Sequence, residues 1–377
     1  MLPAANMGGQ SRKFTPRQRN HRPLGIQSSK NEAPAIPLSA PIKRGNYWFV
    51  SPPLASRLHQ KSGLGKTTSD GGILLVSEEV LFCHWHRHMP LPEESWFSEQ
   101  LEKDSQHIAR AVVFDVARSG GELIIPRDHL KDDLISQIHP NTWAVRWRRD
   151  QSFSKQLPEA QTRWACTTDS VDILELLEWA REVKSQGFIP ELYIIDEEMD
   201  VTMYRLDLID MSGNQKMWND FSSSEQESIR QLWSQRIAWG DGWYIPNQLQ
   251  WTWSAVGIEH MSGRLLRKEE SQWLANIFSN DKESSQINSL FAHLMSKGLI
   301  IRPGFKFGCR WRVYDDAVEQ SHAPWLVQTE SDAPTTWEGI CLSVRLAEGV
   351  HKSWVCILGQ QDDWNCLQIK RWLPGRN

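Results

Sequence analysis

The chain lacks any run approaching the roughly 18 to 20 consecutive apolar residues that a membrane span needs. Its N-terminus lacks the apolar core of a secretory signal, so the expectation is a cytoplasmic protein with no membrane partner. CxxC spacing is also missing. The six cysteines, Cys83, Cys166, Cys309, Cys341, Cys356 and Cys366, are scattered, which argues against a zinc ribbon and a disulfide framework and predicts reduced, mostly buried thiols. A global basic footprint for nucleic acid is absent too. Residues 1–45 hold eight Lys/Arg against the single acid Glu32, a charge of +7, and the total of -4 therefore leaves -11 on the remainder. Any site for an anionic polymer must be local.

What is abundant is tryptophan, 20 residues against only five tyrosines. Indoles can stack on bases, but their commoner use is large apolar burial, and most are expected in cores. Residues 1–45 mix Pro, Gly, Gln, Asn and basic residues without apolar periodicity and read as a disordered basic arm, either solubilising or touching the phosphates of an anionic polymer. Gly65-Lys66-Thr67 ends like a phosphate loop, but Gln60 stands where the pattern demands glycine. His84, His86 and His88 alternate before Pro90 with no carboxylate or cysteine partner at ligand spacing; this predicts a helix end or surface turn, with no metal.

A weak internal duplication organises the rest. Arg118 to Pro126 (RSGGELIIP) and Ser296 to Pro303 (SKGLIIRP) both read as helix end, glycine stop and apolar strand. The second copy follows an Ile287, Leu290, Phe291, Leu294 stripe that marks an amphipathic helix closing at Gly298. Each half ends in a strand, turn, strand device: Leu192–Ile195, the acidic turn Asp196–Asp200 and Val201–Tyr204, then Trp354–Leu358, the turn Gln360–Asp363 and Asn365–Ile369. The break falls near residues 212–224, where Ser222 with Glu225, or Ser224 with Glu227, can cap a helix. The expected fold class is α+β, a tandem duplication in which each unit pairs a small N-terminal helix/strand subdomain with a C-terminal mixed β-sheet flanked by helices. The boundaries are 1–45 for the arm, 46–215 for the first unit and 216–377 for the second.

The densest chemistry lies between residues 301 and 352. Tyr314, His322 and Lys352 supply a phenol, an imidazole and an ammonium, the groups needed to cleave an RNA phosphodiester through its own 2′-hydroxyl without metal. A base takes the 2′-OH proton, an acid protonates the leaving 5′-oxygen, and a cation stabilises the transition state. An imidazole with a reference pKa near 6.5 suits the acid. A phenol near 10 needs a neighbouring cation to act as a base, a part open to Lys352. Alone, each has a bland reading as a strand tyrosine, a loop histidine and a solvated lysine.

The run GFKFGCRWRVYDD, ending its motif at Tyr314, resembles the K-F-G-x-x-F-x-V-Y segment of archaeal tRNA-intron (tRNA-splicing) endonucleases. His322 in HAPWLVQ is similar to that family's H-S-x-Y-L-V strand, and Arg345-Leu-Ala-Glu-Gly-Val-His-Lys352 to its R-x-A-H-x-V-R-K motif. Glu348 and His351 depart from the last pattern, and the interval from Tyr314 to His322 is short. The resemblance implies precursor tRNA as substrate, cut at bulge-helix-bulge exon–intron junctions to leave a 2′,3′-cyclic phosphate and a 5′-hydroxyl, without cofactor or metal. It further implies a bulged base held between two arginines, Arg345 and either Lys370 or Arg371; Arg371 is preferred because a planar guanidinium stacks better.

In the first half, Trp147 stands at the tyrosine position, the lysine position is lost and no histidine lies between Trp147 and Leu192, so that unit is expected to be inactive. One inactive and one active unit resemble the homodimeric branch of the family, which implies self-association with Asp196, Glu197, Glu198 and Asp200 docking into basic clefts. Two rivals stand beside this reading. One is a non-catalytic structural or RNA-binding subunit of a splicing endonuclease. The other is a metal-dependent nuclease that enlists Asp315, Asp316 and Glu319.

Overall fold

The computed structural model describes residues 38–247, 250–279, 286–318, 322–360 and 363–373. Most of the expected arm, Glu319 and the tip of the second hairpin turn, residues 361–362, lie outside these. The fold is mixed α+β, with ten α-helices and three sheets among the described residues.

The arm ends earlier than expected. Ile42–Arg44 forms strand β1, in register with Tyr47–Val50 (β2), so residues 42–44 are not arm. Arg44 pairs with Asp70 at 3.1 Å and lies 3.8 Å over the Phe49 ring, long-range partners that a local reading of a basic segment does not see. With Lys66–Thr67 (β3) and Ile73–Leu75 (β4) these strands form a sheet of order β1-β2-β4-β3. Leu54–Ser62 (α1), Ser77–Arg87 (α2), Trp96–Lys103 (α3) and His107–Ser119 (α4) accompany it. The alternating histidines close α2. His84 Nδ1 lies 2.9 Å from the Met89 carbonyl, His86 pairs with Asp115 at 2.6 Å, and His88 takes the left-handed C-cap. The phosphate-loop lookalike is the end of α1 and the turn after it, where the Gly65 amide donates to buried Glu79.

A ten-stranded sheet carries both halves. Leu123–Pro126 (β5), Ala144–Trp147 (β6), Ala160–Cys166 (β7), Ile189–Ile195 (β8) and Val201–Ile209 (β9) come from the first, with Asp132–Ile135 (α5) and Ile173–Ser185 (α6) between them. Ser223–Ser234 (α7) opens the second half on the Ser222/Glu225 capping box. A second four-stranded sheet, ordered β10-β11-β13-β12, follows from Ile237–Trp239 (β10), Gly242–Ile245 (β11), Ile258–His260 (β12) and Gly263–Leu266 (β13). After Lys268–Ser279 (α8) and Gln286–Ser296 (α9) come Ile300–Pro303 (β14), Trp311–Tyr314 (β15), Trp325–Thr329 (β16), Trp337–Gly349 (α10), Ser353–Gln360 (β17) and Asp363–Trp372 (β18).

The large sheet runs β14-β15-β16-β17-β18-β9-β8-β7-β6-β5. From the central β18–β9 seam each half reads alike: an antiparallel hairpin, a parallel neighbour, then two antiparallel strands. A parallel pair needs a crossover, and α6 and α10 supply the two, capped by Asp172 and Thr336. Their apolar faces, Leu176, Leu177, Ala180 and Val183 on one and Ile340, Cys341, Val344 and Ala347 on the other, bury in a single core against one face of the sheet. The opposite face of the second half packs on α9 through Leu290, Phe291 and Leu294, as the apolar stripe predicts. Ten of the twenty tryptophans are buried, which favours core use over base stacking; Trp253 stacks on Trp218 at 5.6 Å inside that second core. All six cysteines are free thiols and five are buried.

The segment expected to divide the halves is pinned to the second half. Gly213 donates to the Lys297 carbonyl, Asn214 to Asp315 and Gln215 to Gly298. A Cβ on Gly213 would lie 2.4 Å from the Gly298 oxygen, so glycine there is a close-approach requirement.

One buried ionic network ties the seam to the first half. Arg146, 1% exposed, donates to both oxygens of Glu191 and to Glu122 and Glu159 at 2.7–2.8 Å. Burial alone would lower its pKa, but the surrounding carboxylates, Glu191 foremost, raise it. The Trp372 ring of β18 covers the guanidinium groups of Arg146 and Arg205 at 4.5 and 4.2 Å. Arg146→Ala strands buried carboxylates, so urea denaturation is expected to show a loss of about 3–5 kcal/mol. A loss below about 1 kcal/mol would contradict the network's role.

Candidate active site

The sheet register arranges the predicted site residues. Val313 pairs with Trp325, Trp325 with Ser353, Trp354 with Ile369 and Arg371 with Tyr204. Continued by one residue at the first two pairs and by two at the third, the same registers align Tyr314, Pro324, Lys352, Arg371 and Tyr204 in one lateral row; the Ser353 amide, donating to the Pro324 carbonyl, marks its middle. Cross-strand neighbours share a face. Tyr314 itself packs in the second core, while the rest of the row lies on the face under α10, because the row two residues along holds Leu326, Trp354, Ile369 and Leu206 of the core that α10 covers. At about 4.8 Å per strand, Tyr314 and Lys352 are roughly 10 Å apart at their Cα atoms, with Arg371 one strand further.

Lys352 is held from both sides. After α10 the chain makes a Schellman turn: His351 takes the left-handed position with φ 58°, its amide donating to Glu348 while the Lys352 amide reaches Ala347. The ammonium then donates to the Ala323 carbonyl at 2.8 Å, one residue from His322. Burial lowers the lysine's pKa from 10.5, and the Arg312 guanidinium lowers it further. As pH rises, this ammonium is therefore lost earlier than that of a free lysine. Arg312 also lies 6.0 Å from the Tyr314 ring and 5.6 Å from Phe307. Sequence reasoning missed Arg312, although it stands only two residues before Tyr314 on the same strand.

The three predicted catalytic residues differ in access. Tyr314 is 5% exposed, Lys352 is half-buried and His322 is exposed, three residues before β16. Among the described residues no hydrogen bond joins two of the three side chains; what they share is one end of three adjacent strands. In the first half the positions matching Tyr314, Lys352 and Arg371 are Trp147, Phe188 and Leu208, all apolar, with Glu159 at the place of Pro324.

Arg345 lies on α10 and Arg371 on β18. Both are exposed, and both act electrostatically on Tyr204, whose pKa burial and the neighbouring Cys341 raise and these guanidiniums counter. Glu348, a departure from the resembled motif, accepts the Arg371 amide at 2.8 Å and so docks the end of α10 on β18. In the acidic turn, Asp196 uses its carboxylate to accept the amides of Glu198 and Asp200 at 3.0 and 2.9 Å, while Glu197, Glu198 and Asp200 are exposed. Asp316 accepts the amide of Ala317, and among the described residues no three metal-ligating side chains gather. No described helix is long and apolar enough to cross a membrane.

Residues 287–365 match the family model of the tRNA intron endonuclease catalytic C-terminal domain. That segment contains Tyr314, His322, Arg345 and Lys352. Among curated proteins, the chain is similar to the tRNA-splicing endonuclease of Picrophilus torridus, 29% identical over 163 residues, covering 43% of this chain and 49% of that one. It is similar to the tRNA-splicing endonuclease of Thermoplasma volcanium at 27% over 168 residues, 44% and 50% of the two chains. A third similarity, to the tRNA-splicing endonuclease of Methanopyrus kandleri, is 30% over 84 residues, 22% and 47% of the chains. The chain thus spans about half the length of the curated relatives it matches.

The site's electrostatics can be tested directly. Arg312→Ala is expected to raise the Lys352 pKa toward 10.5, read by NMR titration of the lysine side chain. An unchanged titration would show that burial alone sets the shift.

Proposed function

We propose that the chain is a tRNA-splicing endonuclease that cleaves precursor tRNA at bulge-helix-bulge junctions. The observation that carries the reading is the sheet row of Tyr314 and Lys352, with His322 beside the carbonyl that holds Lys352, inside the segment matching a catalytic endonuclease domain, and with Arg371 on the next strand just beyond that segment. In this reading Tyr314 takes the 2′-OH proton, the 2′-oxygen attacks phosphorus, and His322 protonates the departing 5′-oxygen. The products are a 2′,3′-cyclic phosphate and a 5′-hydroxyl. The Lys352 ammonium stabilises charge on the phosphorane-like transition state, and no metal enters the step.

Arg345 and Arg371 then hold an unpaired base by stacking, consistent with their shared neighbourhood around Tyr204. The repeated strand order of the two halves supports a tandem duplication, divided near residue 215, whose first unit is inactive. Two copies of the chain associate through the acidic turn, with Glu197, Glu198 and Asp200 as the docking groups and Asp196 shaping the turn. Cytoplasmic precursor RNA is the substrate pool that fits this chemistry.

A second reading, a non-catalytic RNA-binding subunit, is favoured by one observation: Tyr314 is 5% exposed and must be uncovered to meet a ribose. Incubating the chain with a bulge-helix-bulge RNA in EDTA separates the readings. Cleavage leaving a cyclic phosphate is expected, and His322→Ala should slow it by roughly 10² to 10⁴ fold with RNA affinity nearly unchanged. Binding without cutting would favour the subunit, and activity restored only by Mg²⁺ would favour metal-dependent chemistry through Asp315 and Asp316.

A further inference from the structure

The first half carries its own charged cavity, in a part of the chain to which the proposed chemistry gives no role. It has a volume of about 450 Å³ and lies between the end of α1, the start of β5 and the loop that follows β6. His59, Lys61, Arg148, Arg149, Ser152 and Phe153 are among its lining residues, and no acidic residue lines it. This is unusual on a chain whose residues beyond 45 carry a net charge of -11. Arg148 is engaged with Asp150 and Glu159 at 3.4 and 3.9 Å. Lys61 and Arg149 have no acidic partner among the described residues, and both are exposed.

The cavity also offers an aromatic wall. Phe153 meets the His59 ring edge-on at 5.6 Å, and His59 Nδ1 faces the carbonyls of Leu64 and Gly65 at 3.2 and 3.1 Å. Those carbonyls can only accept, so Nδ1 is the donor, which fixes the tautomer and leaves Nε2 for a ligand. Free cations beside a half-buried ring are the combination that binds an unpaired nucleotide, the cations taking the phosphate and the ring a base face. A carboxylate-bearing protein segment would use the cations and leave the ring without a partner.

The position gives the cavity its meaning. Its floor is Leu123, which pairs with Trp147 as Ile300 pairs with Tyr314, and its wall is the loop after Trp147, as residues 315–324 follow Tyr314. It therefore occupies, in the first half, the end of the sheet that holds the candidate active site in the second. The two ends are separated by seven strand steps, about 34 Å along the sheet, too far for the cavity to serve the scissile phosphate.

We propose that this cavity binds a single-stranded ribonucleotide of the RNA substrate, with Lys61 and Arg149 on the phosphate and Phe153 against the base. The proposal rests on the RNA-cleaving reading above and adds a second, non-catalytic contact to it. The full chain and the variants Arg149→Ala, Lys61→Ala/Arg149→Ala and Phe153→Ala are titrated with a bulge-helix-bulge RNA at several salt concentrations. Single-turnover cleavage is measured at saturating RNA, and mass by sedimentation.

The double variant should bind at least tenfold more weakly, with a salt slope shallower by about 1.4 to 1.8, the value for two lost phosphate contacts. Phe153→Ala should weaken binding about fivefold or more without changing the salt slope. The cleavage rate at saturation should be unchanged. Cleavage by the wild type with unaltered affinity and salt slope in Arg149→Ala and the double variant would overturn the proposal alone. A wild type that neither binds nor cuts the RNA would overturn the functional reading together with it. Dissociation of the double variant into smaller species would assign the cavity to a protein contact and overturn it as well.

Discussion

Seven antiparallel residue pairs between β9 and β18, from Cys366 opposite Ile209 to Trp372 opposite Met203, hold the rest of the architecture in register. They fuse two half-sheets into one, so a single core on the α6/α10 face extends across both halves. Strand register is quantised, because a slip of one residue sends every side chain to the opposite face. At this seam such a slip would part Arg371 from Tyr204 and put it on the face away from α10. The first half thus supplies Tyr204, the strand neighbour of Arg371 on which both Arg345 and Arg371 act electrostatically.

The same logic fixes the cations. Lys352 is placed by a Schellman turn at the end of α10 and anchored to Ala323, so its position depends on helix capping and strand pairing together. A long flexible side chain is tethered at both ends, which reduces the rotamer entropy it would lose on meeting a phosphate. Arg312 and burial both disfavour its charge, so the ammonium is held against an electrostatic gradient that an incoming anion would relieve. The buried Arg146 network with Trp372 over it gives the seam a specific ionic lock, which an apolar core alone does not provide.

Much of this was legible in residue order. The glycine stops before β5 and β14, the Ser222 capping box and the two terminal hairpins are local signals, and the structure carries each of them. The three-motif order of Tyr314, His322 and Lys352 pointed to one segment, and the comparisons match that segment. What escaped was set by distant partners. Ile42–Arg44 reads as arm until Phe49 and Asp70 fold over it. Asp196 reads as a docking acid, yet its carboxylate closes its own turn. Arg312 sits in plain view beside Tyr314, but its influence on Lys352 exists only once β15, β16 and β17 are paired. The depth of Tyr314 was likewise invisible, since periodicity gives a face and not the cover upon it.

The central claim is that Tyr314 and Lys352 act on one phosphate. A double-mutant cycle on single-turnover RNA cleavage, with Tyr314→Phe, Lys352→Ala and both together, tests it most directly. The account predicts strong non-additivity, the double variant being little slower than the slower single one, as for groups that act as a unit. Effects that simply multiply would place the two residues in separate roles and contradict the shared site.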